Sequence, residues 1–240
     1  MIDSHDFSSR WFGSPVGIVR EAGFFAQPAA ARRTALERYS WVEYRAPSVD
    51  GATLAALLED GFLQSDVQIH FRLRLEETQP SPSLDALTVV RGDQHPFRIA
   101  PGEMAEFTHE RFSLVPGITT RMITQRYEMW AEGILKNAPQ YCLEIRSQRG
   151  VEGWFLSSKS AHHAGLNLAL AVLHRDARIS GMLLYRKALD AYKRMGESLG
   201  WASFSATNTP VLNIYSELKA RFTSSGVIWL WINPASARRS

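Results

Sequence analysis

Six consecutive residues that follow an apolar strand and open a helix have the best types and spacing for chemistry in this chain of 240 amino acids. The first turn of a helix carries backbone N–H groups without helical partners, at the positive end of the helix dipole. Small side chains let the backbone approach a phosphate, and nearby arginines add charge. The turn is therefore predicted to bind phosphate, with an ordinary strand-to-helix connection as the alternative. Its residues are Arg178, Ile179, Ser180, Gly181, Met182 and Leu183.

A second pair of polar residues lies on the next expected helix. Asn208 precedes Thr209 and Pro210, which suits a cap at the start of a helix, and Tyr215 follows seven residues later, about two turns on. From the residues alone, Tyr215 is a helix tyrosine with its ring in the core. A general base is not selected by residue type, and the candidates are His109, Glu110, His162, His163 and His174.

Composition narrows the class of protein. A hydrophobic fraction of 45% with net charge +3 excludes a disordered chain, and a single cysteine, Cys142, excludes an internal disulfide framework and a cysteine-based zinc cluster. Residues 1–120 hold eleven arginines and sixteen acidic residues, net −5, whereas residues 121–240 carry net +8. The C-terminal half therefore suits an anionic partner, although a solvated basic face remains the alternative.

Targeting and membrane signals are not expected. Residues 1–13 lack the basic and apolar regions of a signal peptide, and the apolar run Val227–Ile232 is far shorter than the ~20 residues of a membrane span. We therefore expect a cytoplasmic protein, and the run is typical of a buried strand.

The first 90 residues are expected to form a β-α-β-α-β unit. Its third strand is predicted by five apolar residues at period two, Val67, Ile69, Phe71, Leu73 and Leu75. The expected strands are 11–21, 40–47 and 62–77, and the expected helices are 29–39 and 50–61. The Pro-, Ser- and Gly-containing stretch 78–96 predicts a linker, which places a boundary between domains 1–90 and 91–240.

The second part reads as a mixture of strands and helices. Short patterns predict a strand at 97–100 and a helix at 102–112, and longer apolar patterns predict the remaining elements. These are helices 119–137, 181–196 and 209–218, strands 141–146, 150–158, 163–173 and 200–206, and a terminal strand or hairpin at 220–232.

Two C-terminal features resemble the GNAT superfamily of acyl-CoA-dependent N-acyltransferases. The first is the family motif Q/R-x-x-G-x-G/A, which Arg178 and Gly181 match and Leu183 departs from in its last position. The second is N-x-x-[apolar]-x-x-x-Y-x-x-L-G-F, matched by Asn208, Val211, Tyr215, Leu218 and Phe222. Lys219, Ala220 and Arg221 stand where a glycine would precede the phenylalanine.

The N-terminal segments sharpen the resemblance. Residues 8–19, 51–73 and 107–119 are similar to bacterial acyltransferases of nucleotide-linked amino sugars, of which TDP-fucosamine acetyltransferase is an example. The resemblance implies an α/β fold, with a mixed, mostly antiparallel sheet flanked by helices and preceded by a smaller N-terminal β-α-β-α-β unit. It implies transfer of an acetyl group from acetyl-CoA to the amine of a nucleotide-linked amino sugar, without a metal.

The resemblance also implies roles for individual residues. Tyr215 would be the general acid that protonates the leaving thiolate, which suits a phenol of pKa near 10. Arg178 to Leu183 and Asn208 would bind coenzyme A. The strand residues Leu170, Ala171 and Val172 would pair with the pantetheine arm, and a backbone N–H near Leu170 or Val172 would face the thioester oxygen. The acceptor would contact His109, Arg111 and Phe112, with Arg111 pairing to a diphosphate.

Two other functions remain open at this point. One keeps the chemistry but changes the substrates to an amino acid, another small-molecule amine or a longer acyl donor. The other is a relative that binds acyl-CoA without catalysis. Nucleic acid is not an expected partner, because the first half is acidic and a basic–aromatic stripe is absent, and a homodimer is compatible with the resemblance.

Overall fold

The computed structural model describes residues 1–77, 84–107 and 111–235. The strands are β1 (Ile2–Ser4), β2 (Val16–Val19), β3 (Trp41–Ala46), β4 (Leu63–Arg74), β5 (Thr88–Arg91), β6 (Cys142–Ser147), β7 (Gly150–Lys159), β8 (Leu166–Leu173), β9 (Leu199–Ser205) and β10 (Arg221–Ile232). The helices are α1 (Asp6–Phe12), α2 (Ala29–Leu36), α3 (Gly51–Asp60), α4 (Thr120–Asn137), α5 (Gly181–Arg194) and α6 (Thr209–Glu217). Within these ranges, no helix is long and apolar enough to cross a bilayer.

The strands of the described residues form one sheet in the order β1-β2-β3-β10-β4-β9-β8-β7-β6-β5. The pairs β2–β3 and β8–β9 are parallel and the other pairs are antiparallel, so the expected mixed, mostly antiparallel α/β fold is confirmed. Strand β10 lies between β3 and β4 and so pairs with two strands of the first 90 residues. The domain boundary near residue 90 stays a prediction.

Local signals fix several helix ends. The Asp50 carboxylate accepts a hydrogen bond from the Thr53 N–H at 2.7 Å and starts α3, and Gly61 ends it with φ of 83°, in the left-handed region that favours glycine. The Thr119 hydroxyl likewise accepts from the Met122 N–H at the start of α4. These caps confirm the boundaries that the sequence predicts for both helices.

Several expected elements are wrong. Helix α1 occupies the start of the expected strand 11–21, and β5 lies inside the expected linker, where Thr88 pairs with Arg146 of β6. Residues 97–100 form no strand and 102–107 no helix, because this segment runs alongside the end of β8. There the Ala105 N–H donates to the Leu173 carbonyl at 2.9 Å, which takes the segment out of helical geometry.

Candidate active site

Strands β8 and β9 separate soon after they begin. They pair only at Leu166 with Gly200 and at Asn167 with Trp201, whereas β9 pairs with β4 over seven residues. Gly165 starts this junction with φ of 100°, and a Cβ there would lie 2.2 Å from the Leu199 carbonyl oxygen. Only glycine fits so close an approach of two backbones.

An irregularity in β8 adds to the opening. Leu170 pairs with Leu156 and Leu168 with Ser157 of β7, which leaves Ala169 as an extra residue in β8. Such a bulge bends a strand and interrupts its regular pairing. The edge of β8 beyond the bulge therefore faces a cavity of about 530 Å³.

The cavity has one largely apolar wall, which we call the β8 wall. The side chains and backbone of β8, α5 and α6 form it. Its residues are Leu168, Ala169, Leu170, Ala171, Tyr185, Asn208 and Tyr215. The structure thus brings together Leu170, Ala171, Asn208 and Tyr215 among the residues singled out from the sequence, whereas Val172 does not line the cavity.

Tyr215 lies deep in this wall with 3% of its surface exposed. Its ring centroid lies 4.0 Å from that of Phe71 and 5.2 Å from that of Tyr185. Burial, together with the Tyr185 hydroxyl, raises the pKa of Tyr215 well above 10. The hydroxyl therefore stays protonated at neutral pH and is able to donate a proton.

The helix that carries Tyr215 begins and ends as its motif suggests. The Asn208 side chain accepts a hydrogen bond from the Val211 N–H at 3.2 Å and caps α6. After the helix, Lys219 adopts φ of 59°, and Lys219 is one of the residues that replace the family's glycine. Left-handed backbone at a residue with a side chain costs about 1 kcal/mol.

The predicted phosphate-binding turn lies outside the cavity lining, at the start of α5. Ser180 caps the helix, and a Cβ on Gly181 would lie 3.2 Å from the Ile214 side chain of α6. Among the described residues, no protein group accepts the N–H of Gly181 or Met182. Two donors at the positive end of α5 therefore remain available to an anion.

Glu152 of β7 binds the backbone of the first half of this turn. Its buried carboxylate accepts the backbone N–H of Arg178 at 2.6 Å, that of Ile179 at 3.3 Å and the Ser147 hydroxyl at 2.6 Å. Burial alone would raise the pKa of Glu152, but these hydrogen bonds outweigh burial and lower it. The carboxylate thus stays ionised and fixes the first half of the turn.

The opposite wall is charged, and we call it the β3–β4 wall. Its ionic side chains are Arg45 of β3, Asp66 of β4, Arg111, and Arg126 of α4. Beneath them Glu43 is 1% exposed and accepts hydrogen bonds from the Nε of Arg45 and, at 3.0 Å, from the Nε of Arg111. Burial raises the pKa of Glu43, but the two arginines outweigh burial and lower it, so Glu43 is ionised.

Two further polar residues complete this wall. Asp66 is the only acidic residue among the described side chains that line the cavity, and it accepts a 2.6 Å hydrogen bond from the Ser205 hydroxyl. His5 also lines the cavity, and burial lowers its pKa below 6.5. At neutral pH the wall therefore presents arginine cations, one carboxylate and a neutral imidazole.

The structure separates the other candidates. Arg111 lines the cavity, but Phe112 is buried in the core, with the guanidinium carbons of Arg111 and Arg126 at 4.3 and 4.5 Å from its ring. His162, His163 and His174 do not line the cavity. His109 and Glu110 lie outside the described residues. Within residues 1–77, 84–107 and 111–235, no three His, Cys, Asp or Glu side chains are arranged to bind a metal ion.

Sequence reasoning missed Glu43, Arg45, Asp66, Arg126 and Glu152. Glu43 and Glu152 had a signal, because each is an acidic residue within an otherwise buried strand. Such a residue requires ionic or hydrogen-bond partners in the fold. The others gave no local signal.

No protein-family model and no curated protein sequence matches this chain. Among solved structures, a functionally unknown conserved protein from Staphylococcus epidermidis has a TM-score of 0.59 at 10% identity, over 95% of this chain and 88% of that one. A GCN5-related N-acetyltransferase from Sphaerobacter thermophilus has a TM-score of 0.51 at 15% sequence identity, and the match covers 80% of this chain but only 60% of that one. A GCN5-related glucosamine N-acetyltransferase region of a fungal multi-domain protein has a TM-score of 0.55 at 12% sequence identity, and the match covers 85% of this chain and 27% of that one.

These likenesses extend over 80% or more of this chain. At such low identities they concern the fold and not the activity. The chain has the fold of the GCN5-related N-acetyltransferases.

Proposed function

We propose that this protein is an N-acyltransferase that moves an acetyl group from acetyl-CoA to the amine of a nucleotide-linked amino sugar. The observation that carries the proposal is the opening between β8 and β9, with the Tyr215 hydroxyl buried beside it. An open strand edge facing a protonated phenol suits a thioester whose sulfur leaves as a thiolate.

The coenzyme would be held by backbone more than by side chains. The N–H groups of Gly181 and Met182 lie at the start of α5 and suit the pyrophosphate, with Arg178 exposed nearby. The edge of β8 at Leu170 and Ala171 suits the pantetheine arm as an added strand. Acetyl-CoA supplies the activated acyl group.

In the reaction, the amine nitrogen forms a bond to the thioester carbon and the carbon–sulfur bond breaks. Tyr215 gives its proton to the departing sulfur. The amine loses a proton, for which Asp66 is the available carboxylate in the cavity. Asp66 then releases that proton to solvent and solvent returns one to Tyr215, so that coenzyme A leaves as the thiol and atoms and charge balance.

The acceptor would be bound by the β3–β4 wall, most of which comes from residues 1–90. His5, Arg45 and Asp66 belong to that segment, and Arg111 and Arg126 face it from later in the chain. This supports the proposed role of residues 1–90 in the acceptor site and of residues 91–240 in binding the coenzyme. Arginines suit a diphosphate, and one structural neighbour carries glucosamine in its name.

A thiol-release assay with acetyl-CoA tests the function. The amine panel contains TDP-linked amino sugars, free amino sugars and amino acids. We expect release of coenzyme A that depends on the amine and is fastest with the nucleotide-linked sugars. Binding of coenzyme A in calorimetry without release on any amine would contradict catalysis and favour a binding protein.

A further inference from the structure

We propose that the acceptor amine is carried by a hydroxylated ring of the pyranose type, and that this ring contacts a cluster of aromatic side chains and a cluster of amide and hydroxyl side chains in the cavity. The inference rests on the proposed acyl transfer and says how the ring itself is recognised. The aromatic cluster consists of Phe107, Tyr127 and Trp130, and the polar cluster consists of Gln68, Asn167 and Ser203.

Strand alternation places the polar cluster on one face of the sheet. Each of its members lies next to strand residues that pack in or against the core beneath α5 and α6. These neighbours are Leu166 and Leu168 for Asn167, Ala202 and Phe204 for Ser203, and Ile69 for Gln68. Because successive side chains of a strand point to opposite faces, the three polar side chains lie on the face away from α5 and α6.

The aromatic cluster lies on the same face. Its rings pack against the core that contains Trp154 of β7, whereas the adjacent Phe155 belongs to the core beneath α5 and α6. The rings of Phe107 and Tyr127 are stacked with their centroids 3.6 Å apart, and the Trp130 ring lies 6.0 Å from that of Tyr127. All three side chains are half-buried, so the cluster is held by packing and still borders the cavity.

The two clusters together match the two kinds of surface on a sugar ring. The face of an aromatic ring is electron-rich and attracts the C–H bonds on the face of a pyranose. Amide and hydroxyl groups bind the hydroxyls around its edge. Among the described residues, the side chains of Gln68, Asn167 and Ser203 and the indole N–H of Trp130 make no hydrogen bond within the protein. They are therefore available to a ligand.

The position of the polar cluster identifies the ring as the one that carries the amine. Gln68 follows Asp66 by two residues on β4, a separation of about 7 Å, and it pairs with Ser205, whose hydroxyl binds Asp66. Asn167 forms the last β8–β9 pair before the strands separate. The polar cluster thus borders the proposed place of reaction. In a nucleotide-linked amino sugar, the diphosphate keeps the nucleobase farther from the amine than this.

Binding of free sugars tests the proposal without requiring acyl transfer. Saturation-transfer NMR measures the dissociation constants of glucosamine and cyclohexylamine, with coenzyme A added so that the probes report on the acceptor part of the cavity. Cyclohexylamine keeps the six-membered ring and the amine but has no hydroxyls, so it leaves the polar cluster unpaired. We expect glucosamine to bind about fivefold or more tightly than cyclohexylamine, and glucose, which lacks the amine, to displace glucosamine.

The outcomes separate this inference from the proposed function. A smaller preference for glucosamine, or no displacement by glucose, overturns the hydroxylated ring whether or not coenzyme A is released with any amine. Thymidine 5′-monophosphate should not displace glucosamine. Displacement by this nucleotide would assign the two clusters to a nucleobase and overturn the proposal.

Two substitutions separate the roles of the clusters. Gln68→Leu should weaken binding of glucosamine about fivefold and leave that of cyclohexylamine unchanged. Gln64→Leu is the matched control, because Gln64 is an exposed residue of the same strand that does not line the cavity, and it should change neither. Trp130→Leu should weaken both probes, since both rings present C–H bonds to the indole. Equal weakening of both probes in folded Gln68→Leu would overturn the role of the polar cluster. If a variant does not fold, the comparison of probes in the parent protein still decides.

Discussion

The two walls of the cavity are built in different ways. The β8 wall is made of backbone edges, aliphatic side chains, the Asn208 amide and phenols, and the phenol of Tyr215 is neutral. The β3–β4 wall is made of ions, with Glu43 buried beneath Arg45 and Arg111. A pantetheine arm presents mainly amide groups, whereas the proposed acceptor carries a charged diphosphate beside its amine. The contrast therefore assigns one wall to each substrate in the proposed reaction.

The two walls also differ in what holds them in place. Strand pairing, caps and packing fix the β8 wall, so single polar substitutions there should alter function more than folding. Ion pairs in a buried setting fix the β3–β4 wall, so removing one partner should cost stability first. Four substitutions test this difference between the walls.

The largest effect is expected at the turn beside the β8 wall. Gly181→Glu places a carboxylate at the proposed phosphate site and pushes on Ile214, 3.2 Å from the new Cβ. Two like charges about 4 Å apart near a surface repel by roughly 4 kcal/mol, so calorimetry should show about a thousandfold weaker coenzyme A binding. Gly51→Glu is the matched control. Gly51 also opens a helix after a capping residue, but its Cβ would meet nothing within 4 Å. Unchanged affinity in folded Gly181→Glu would remove the turn from the site.

A substitution in the β3–β4 wall should lower the free energy of unfolding. Glu43→Gln leaves Arg45 and Arg111 without their buried partner and should lower the free energy of unfolding at pH 7 by about 3 kcal/mol. Because the pKa of Glu43 is lowered in the fold, its stabilisation is present above the unfolded value of about 4.5. It is lost as pH falls through the lower folded value.

Denaturant titrations of parent and variant check this. The difference between them should shrink steadily below about pH 4.5. The exposed Glu132→Gln should change stability by less than about 0.5 kcal/mol. A constant difference down to pH 3 would show that Glu43 does not act through its charge.

Tyr215→Phe probes the β8 wall with less disturbance. It keeps the ring packing against Phe71 and removes the hydroxyl proton, so kcat should fall about a hundredfold with little change in coenzyme A affinity. Because the pKa of Tyr215 lies well above 10, the hydroxyl stays protonated up to pH 10. Deprotonation of Tyr215 should therefore cause no decrease in the kcat of the parent below that pH.

The control for Tyr215 is another buried tyrosine. The Tyr192 hydroxyl donates to the Tyr141 carbonyl at 2.7 Å, away from the cavity. Tyr192→Phe should cost about 1 kcal/mol of stability and leave kcat unchanged. A Tyr215→Phe enzyme within threefold of the parent would identify Tyr215 as a packing residue only.

The smallest effect is expected at Lys219, which follows the Tyr215 helix with φ of 59°. Lys219→Gly relieves the left-handed backbone but frees the unfolded chain, so thermal unfolding should show a gain of at most about 1 kcal/mol. Lys219→Ala keeps the strain and should match the parent within about 0.5 kcal/mol. A loss of stability in the alanine variant would show that the lysine side chain, and not only the backbone, matters here.

Sequence reasoning reached the β8 wall because its residues lie close together along the chain. A strand, a small-residue turn and a capped helix follow one another between residues 166 and 217, and each has a local signal. The period-two pattern likewise predicted β4, and capping residues predicted α3 and α4. Local signals failed for β5, whose Thr88, Val89 and Val90 follow a stretch rich in proline and serine.

Apart from Arg111, which the family resemblance singled out, the β3–β4 wall lay beyond such reasoning. Arg45, Asp66, Arg111 and Arg126 come from four separate segments and meet only through the sheet register and the packing of α4. Nothing near Arg45 in sequence indicates that Ile228 will lie between it and Asp66. Assemblies of this kind depend on long-range pairing, which local periodicity does not encode.

The position of β10 between β3 and β4 has a consequence for how the chain folds during synthesis. The strands that flank β10, β3 and β4, are synthesised early. They pair with β10 only after it has left the ribosome, and β10 follows β5 to β9, α5 and α6 in the chain. Until then each exposes an unpaired edge to other chains. Contacts between such distant segments form slowly, so assembly of the acceptor side should be the late, aggregation-prone step, and refolding yield should depend on protein concentration.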